Sequence, residues 1–452
     1  MSAPTRRPFE GQEAFWVLWA GLLVSFTGSG LTRFGVSVWV FQETRDPQAF
    51  AALLFFAVFP IALGSLVAGP LIDRWDRRTV LIVANVVASI PTLAVVMLLW
   101  FGDLQLWHLY VALFVNGLAN AFVLPAFDSS IRLLVAPRRL GQASGYAQLI
   151  QTLGLVIAPP IAGVLMLSLG LGAIFLIDAL TAAVAVATLL VVAIPRPAPD
   201  TARTSLWQEF VLGLRYVAGR PPFVFLLVHL GVVVFASAFT YALSGPIVLS
   251  FGDEGTIGLV YAAYGVGSVV GALVIGVTGG TRPRMHGIVV GAFVMSAGTV
   301  LTSLRPDALW IGLGVFVAGM AQAVLIASDR TIYQEHVALR MLGRVFSFRS
   351  VIITGSQAFG LLTAGWLAAQ VFEPAMMPGG ALAERLAMFG TGPGRGSAIM
   401  LLGTGAVLGC LALTAAVVPA IRRLESRLDA DALAGTTPAE ARSTREGRGS
   451  DD

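Results

Sequence analysis

Two charges lie where charge is expensive. Arg33 sits in the apolar run 15–41 and Asp178 in the run 171–194. A charge at mid-bilayer costs about 2.5–3.5 kcal/mol on insertion scales, so it normally has a partner or a function. If the first run leads outward and the sixth inward, a rise of about 1.5 Å per residue puts both charges roughly 10–12 Å below the outer surface. Two chemistries fit them. One is a structural ion pair. The other is proton transfer, in which Asp178 takes and gives a coupling proton and Arg33 tunes its affinity.

Other chemistries lack their residues. All 29 basic residues are arginine, so no Walker lysine exists and ATP hydrolysis is not expected. The run Gly265 to Gly271 has the wrong spacing for a dinucleotide loop and lies inside a span. His108, His229, His286 and His336 are scattered without metal-ligand spacing, and Cys410 is the single cysteine. No acid, base and nucleophile converge, so no enzyme is expected. The small net charge of +4 calls for no nucleic-acid partner.

A second set of charges fills a short loop, Gly69-Pro70-Leu71-Ile72-Asp73-Arg74-Trp75-Asp76-Arg77-Arg78, between two apolar runs. It resembles the signature loop between the second and third helices of the major facilitator superfamily, Gly-x-Leu-x-Asp-Arg-x-Gly-Arg-Arg. Asp76 stands where that pattern has glycine. The resemblance implies a conformational latch: Gly69, Asp73, Arg74, Arg77 and Arg78 would clasp the start of span eleven, where Arg344 and Arg349 are the candidate partners. Asp128 and Arg132, one turn apart, read as a surface pair, and Asp329 and Arg330 hold the corresponding place in the second half.

The fifth span carries Gly154-Leu-Val-Ile-Ala-Pro159-Pro-Ile-Ala-Gly163. This is similar to the family's antiporter motif, Gly-x-x-x-Gly-Pro-x-x-Gly-Gly, with Ala158 and Ala162 replacing two glycines. Small residues four apart let backbones approach, and proline frees a carbonyl, so plain helix packing is the alternative reading. Polar and aromatic residues within spans sketch a substrate cavity: Phe26, Phe34, Asn116, Asn120, Gln148 and Gln151 in the first half, Tyr241, Tyr264, Gln322 and Gln357 in the second.

These residues need helices to hold them. Of the 452 residues, 56% are apolar and 12% charged, half the charge of a typical soluble chain, which is roughly a quarter charged. Twelve apolar runs of about 20 residues can be drawn: 15–41, 50–71, 79–101, 106–127, 144–168, 171–194, 223–249, 256–278, 287–304, 308–328, 345–370 and 397–419. Helices are the only choice, since lipid offers backbone groups no partner and no alternating barrel pattern occurs. The first run is too long for a signal peptide.

With a cytoplasmic N-terminus, 24 arginines fall on the inner side and 4 on the outer, with Arg33 within a span. The positive-inside rule then puts both termini in the cytoplasm. The halves repeat at an offset of 202: Gly69 and Leu71 match Gly271 and Leu273, Leu140 and Gly141 match Leu342 and Gly343, and Ala162, Gly163 and Leu165 match Ala364, Gly365 and Leu367. Parallel repeats place a substrate between them near the midplane.

The expected organisation is an all-α integral membrane protein of two pseudo-symmetric six-helix bundles. Its segments are a cytoplasmic N-terminus (1–14), a first bundle (15–194), a cytoplasmic connector (195–222), a second bundle (223–419) and a largely disordered tail (420–452). In the connector Leu206, Phe210, Val211 and Leu214 form an apolar face, which suggests an amphipathic surface helix; a plain linker is the other reading.

The resemblance extends to about residue 420. Ser25 to Phe34, the Leu176–Thr181 segment around Asp178 and the connector resemble the enterobactin-exporter and macrolide-efflux branch. It implies a proton-driven exporter of a drug, siderophore or other secondary metabolite in the cell inner membrane. It would use no cofactor beyond the proton gradient and no ATP. Its partners would be the bilayer and a small molecule, and it is expected to act as a monomer. An importer on the same fold, or a non-transporting membrane partner, are the alternatives.

Overall fold

The computed structural model describes residues 9–195 and 206–419, with Glu425 and Leu428; the side chains at 69, 70, 73, 74, 137, 141, 144, 206, 207, 209, 339, 340 and 387 lie outside the described set. The described chain is helical: α1 (Gly11–Thr44), α2 (Pro47–Arg74), α3 (Arg77–Phe101), α4 (Leu106–Leu134), α5 (Leu140–Val191), α6 (Leu206–Ala218), α7 (Pro221–Leu249), α8 (Glu254–Thr278), α9 (Arg284–Leu304), α10 (Ala308–His336), α11 (Leu339–Leu367), a short α12 (Glu373–Met376) and α13 (Arg395–Val417). Eleven stretches among the described residues are long and apolar enough to cross a membrane. One of them, in α5, does so twice. Its 52 residues contain a single non-helical position, Gly170, at φ 74° and ψ −179°. Fully straight, α5 would be about 78 Å long, far more than a hydrocarbon core of about 30 Å. Glycine tolerates that left-handed turn and folds the helix into two arms, which makes twelve crossings.

The turns are set by local chemistry. Asp46, Asp76, Asp253 and Asp307 cap the first turns of α2, α3, α8 and α10, each accepting a backbone N–H at 2.8–3.2 Å. At Asp253 the Thr256 hydroxyl and backbone amide both donate, and they hold this exposed carboxyl below the usual range. Glu373 does the same for α13 across a longer loop, accepting from the Gly394 and Ser397 amides at 3.0 and 2.9 Å. A carboxylate is favoured there by the helix dipole as well as by hydrogen bonding.

Helices α1–α5 form one six-crossing bundle, and α7–α11 with α13 form the other. Within the first, α1 lies against the second arm of α5 through three glycines spaced by seven. A Cβ on Gly21, Gly28 or Gly35 would come within 2.3, 2.0 and 2.7 Å of side-chain atoms of Thr188, Thr181 and Ile174 respectively, which are also spaced by seven. Such small-residue seams let two helix backbones approach in a lipid environment.

The cores are not symmetric along the bundle axis. At the end bearing the α1–α2 and α7–α8 turns, one apolar core spans both bundles: Phe34, Phe41, Phe50 and Leu54 pack with Leu243, Val248, Ile257, Tyr261 and Leu361. At the end bearing the chain termini the bundles have separate cores. One is built on Phe15, Leu18, Ile72 and Phe127. The other is built on Phe223, Leu226, Tyr333 and Val345.

The connector is a helix, α6, but its packed face differs from the expected one. Phe210 lies edge-on to Phe348 of α11 with ring centroids 5.3 Å apart, Gly213 abuts the Arg344 carbonyl, and Val217 is buried. Leu214 is exposed and the Leu206 side chain is outside the described residues. The close approach allowed by Gly213 rotates the contact stripe to residues 210, 213 and 217. Segments 1–8 and 420–452, apart from Glu425 and Leu428, also lie outside the described residues.

Candidate functional site

Asp178 is buried in the first bundle at 3% exposure. Three hydroxyls from two other helices donate to it: Thr32 to Oδ2 at 2.8 Å, Ser29 to Oδ1 at 3.3 Å and Thr92 to Oδ2 at 3.4 Å. The Gly28 approach described above is what brings α1 close enough for this. An all-hydroxyl shell satisfies the carboxylate and can equally reorient around a carboxylic acid, because each hydroxyl can donate or accept. Two small cavities adjoin it. One is bounded by Arg33, Thr32, Leu109 and Phe175, the other by Ser25, Asn85, Asn120 and Asp178; both touch Ser29, Thr92 and Asn116. Each has room for about one water molecule. The lining is polar enough to give a water the partners it needs.

The expected Arg33–Asp178 ion pair is not a direct contact. No salt bridge joins them among the described residues. The two charges sit on adjoining helices, yet the hydroxyls of Ser29 and Thr32 take the position next to the carboxylate.

The charged loop is partly visible. The side chains of Gly69, Asp73 and Arg74 are outside the described residues. Arg77 donates to Ser129 of α4 at 2.9 Å. Arg78 donates to the carbonyls of Leu189 and Leu190 at 2.6 and 2.8 Å, at the C-terminal end of α5, where a cation suits the helix dipole. These two arginines therefore tie α3 to its own bundle. Asp76, the departure from the family pattern, is the α3 cap.

Of the two expected latch partners, Arg349 is committed elsewhere. It is buried and donates twice to Asp329 of α10, from Nη2 at 2.6 Å and Nε at 3.1 Å, with its guanidinium 5.5 Å from the Tyr333 ring centre. Asp329, expected at the surface beside Arg330, is 1% exposed for the same reason. Spacing along the chain could not reveal this pair, because its partners are twenty residues apart on two helices. Arg344 lies half-buried beneath α6.

The antiporter-like segment lies at the junction of the bundles. Gly154 faces the backbone of Phe26 in α1, while the Pro159 carbonyl fills the space beside Gly258 of α8. A Cβ on Gly163 would come within 2.5 Å of the Glu254 carbonyl. Two side-chain hydrogen bonds also cross the junction, from Gln42 to Glu254 and from Gln370 to Gln48, the latter at 3.1 Å.

The cavity residues divide. Asn116 and Asn120 are bonded to each other at 2.8 Å and line the second cavity. Gln148 and Gln151 are exposed on the part of α5 where the bundles have separate cores, and Phe26 packs at the edge of the first bundle's core there. Phe34 is not an open wall: it is buried in the shared core, edge-on to Tyr261 at 5.7 Å. Across from it, Tyr241 is in ring contact with Tyr261 and Tyr264; Tyr264 donates to Gln322, which donates to Ser237 at 3.0 Å. Gln357 is half-buried in α11. Sequence reasoning missed Thr32, Thr92 and Asn85, whose only signal was polarity within apolar runs. It also missed an aromatic cluster of Trp16, Trp19 and Tyr146.

Two six-helix bundles joined by a connector helix and meeting at one end in a shared apolar core have the architecture of a membrane transporter. The chain belongs to the Major Facilitator Superfamily, whose family model matches residues 18–361. Macrolide efflux protein A of Streptococcus pyogenes is 24% identical over 370 residues, covering 79% of this chain and 90% of that protein. The enterobactin exporter EntS of Salmonella typhi is 25% identical over 366 residues, covering 79% and 86%. Among solved structures, an inward-facing, unoccupied bacterial homologue of the human lysosomal transporter Spinster superposes with a TM-score of 0.67 at 16% identity, covering 94% and 99%. The nucleoside transporter NupG gives 0.67 at 14% identity, covering 90% and 99%.

Proposed function

We propose that this chain is a proton-coupled exporter of a drug, siderophore or other secondary metabolite, working by alternating access in the cell inner membrane as a monomer. The observation that carries the reading is the uneven core: the bundles share apolar packing at one end and separate at the other. With both termini in the cytoplasm, as the arginine distribution favours, the sealed end is the outer one and the site faces inward. The names of the relatives favour export over import.

In this scheme Asp178 carries the proton. Its hydroxyl shell is drawn largely from α1, the helix that also carries Phe34 into the outer seal, so loading the carboxyl bears on the seal directly. The loop from Gly69 to Arg78 acts as the inner latch with Arg344. Gln148, Gln151, Gln322, Gln357 and the tyrosines contribute to the cargo surface. The driving force is adequate: one charge moved through 100 mV is worth about 2.3 kcal/mol, close to a 50-fold gradient.

The test is a pair of strains, one deleted for the gene and one overexpressing it, screened against a panel of toxic compounds with and without a protonophore. Export predicts hypersensitivity on deletion, resistance on overexpression, and loss of that resistance when the proton gradient collapses. Inward accumulation in oriented vesicles would reverse the direction; no flux of any compound would refute transport.

A further inference from the structure

At the end of the first bundle that bears the chain termini, an aromatic cluster sits below charges that packing does not use. The Trp16 and Tyr146 rings meet edge to face with centroids 4.7 Å apart, and the Trp19 indole donates to the Tyr146 carbonyl at 2.6 Å. These contacts tie α1 to the first arm of α5. Trp16 and Tyr146 are nonetheless exposed, and neither the Trp16 indole N–H nor the Tyr146 hydroxyl has a hydrogen-bond partner among the described residues. One turn before Trp16, Gln12 accepts from Arg139 at 2.8 Å, which fixes that exposed guanidinium at the rim. Glu13 follows Gln12 in the first turn of α1, exposed and three residues from Trp16, so the two side chains are neighbours. Glu13 makes no salt bridge with Arg139 among the described residues, and its carboxylate accepts no hydrogen bond there.

The medium beside this cluster is lipid. Tyr146 shares a face of α5 with Ile157 and Val164, eleven and eighteen residues further on. Both are exposed, and Val164 adjoins Gly163, at the end where the bundles pack against each other. An opening between the bundles does not reach that end, so this face meets the bilayer along its length. Down the α1–α5 seam the chemistry follows that of a phospholipid: charges at the rim, amphipathic rings about 6 Å deeper, apolar side chains beyond. Rings alone would make an interfacial anchor, but an anchor has no use for a carboxylate and a guanidinium held near each other unpaired.

We propose that Glu13, Arg139 and Trp16 form a headgroup site for a phospholipid bearing a primary ammonium, such as phosphatidylethanolamine. The guanidinium fork takes the phosphate, the carboxylate takes the ammonium, and the Trp16 ring lies against that cation. An acyl chain runs down the seam past Val24 and Ile157, both exposed. The site depends neither on what is transported nor on the direction.

The experiment titrates the delipidated full chain in detergent with dioleoyl phosphatidylethanolamine, phosphatidylcholine and phosphatidylglycerol, and reads bound lipid by native mass spectrometry. The wild type is expected to bind the ethanolamine lipid about fivefold or more tighter than the choline lipid, whose quaternary ammonium cannot donate a hydrogen bond. Glu13→Gln is expected to bring those two within about twofold. Arg139→Gln is expected to weaken all three lipids by about fivefold, and Arg139→Lys by less. All three replaced side chains are exposed, so melting in lipid-free detergent should stay at the wild-type temperature; Arg139→Lys guards against a fold lost with the charge. Equal binding of the ethanolamine and choline lipids, a preference that survives Glu13→Gln, or binding indifferent to Arg139→Gln would overturn the site. Tightest binding of phosphatidylglycerol would assign the arginine to anionic lipid and overturn the ammonium assignment. Because only lipid binding is read, failure here leaves the export screen to stand or fall by itself.

Discussion

In the proposed cycle Asp178 takes and gives the proton, and its three hydroxyls can serve either form of the carboxyl. Asp178→Asn keeps the shape and can still accept from Thr32, so the fold should survive. The expected outcome in proteoliposomes is loss of uptake driven by an imposed pH gradient, with normal protein yield. Undiminished proton-driven flux would remove Asp178 as the carrier. The Asp329–Arg349 pair predicts the opposite pattern. Taking away one partner strands a buried charge, so Arg349→Met should destabilise the protein by about 3–5 kcal/mol. Asp329→Leu added to it should recover most of that loss in a thermal melt, because an apolar pair needs no solvation. At this scale the sequence was only half legible. It marked Asp178 as a charge out of place, since hydropathy shows that directly. It could not show that Thr32 and Thr92 reach it, nor that Arg349 pairs with Asp329 instead of the charged loop, because both facts depend on which helices adjoin.

The helices themselves were largely readable. Apolar runs located every crossing, but α4 and α10 continue to Leu134 and His336, past the expected ends at 127 and 328, because hydropathy stops at the first polar residues while the helix does not. Their mutual faces were not readable. The seven-residue glycine ladder of α1 lies in plain view at Gly21, Gly28 and Gly35, yet its meaning depends on Thr188, Thr181 and Ile174 more than 130 positions away. The same holds for α6, where Gly213 and not the leucines chose the contact with α11. The ladder predicts a specific epistasis. Gly28→Ala should lower thermal stability and transport, since the added methyl meets the Thr181 hydroxyl. Thr181→Ala in the same chain should restore much of both, because the nearest obstacle is then gone. An additive loss in the double variant would argue that α1 and α5 do not touch there.

For the whole molecule, the reading turns on the closed end opening. Gln48 and Gln370 are hydrogen-bonded across the seam, so cysteines in their places lie within reach of a short bis-maleimide that carries a reducible disulfide in its linker. In a Cys410→Ala background, the Gln48→Cys/Gln370→Cys protein should lose transport on crosslinking and regain it when the linker is reduced. Crosslinked protein that still transports would show that the seam need not part. The sequence foresaw two matching halves because repeats survive as glycine and leucine spacings. It could not foresee which end was shut, and so it listed Phe34 among the cavity residues without placing it in the shared core. The shape of a cycle is not written in a single residue's chemistry.

That seam consists mostly of aromatic and aliphatic side chains over glycine and proline backbone, with two hydrogen bonds between side chains crossing it among the described residues. Parting it wets apolar surface, and wetting apolar surface raises heat capacity. A step that parts this seam should therefore bend an Eyring plot of the transport rate, while a step limited by cargo release into an already open mouth would leave it straight. Cooling should weaken the seal, because its hydrophobic part fades at low temperature. The balance between the two faces of the carrier should thus drift with growth temperature even with no cargo present.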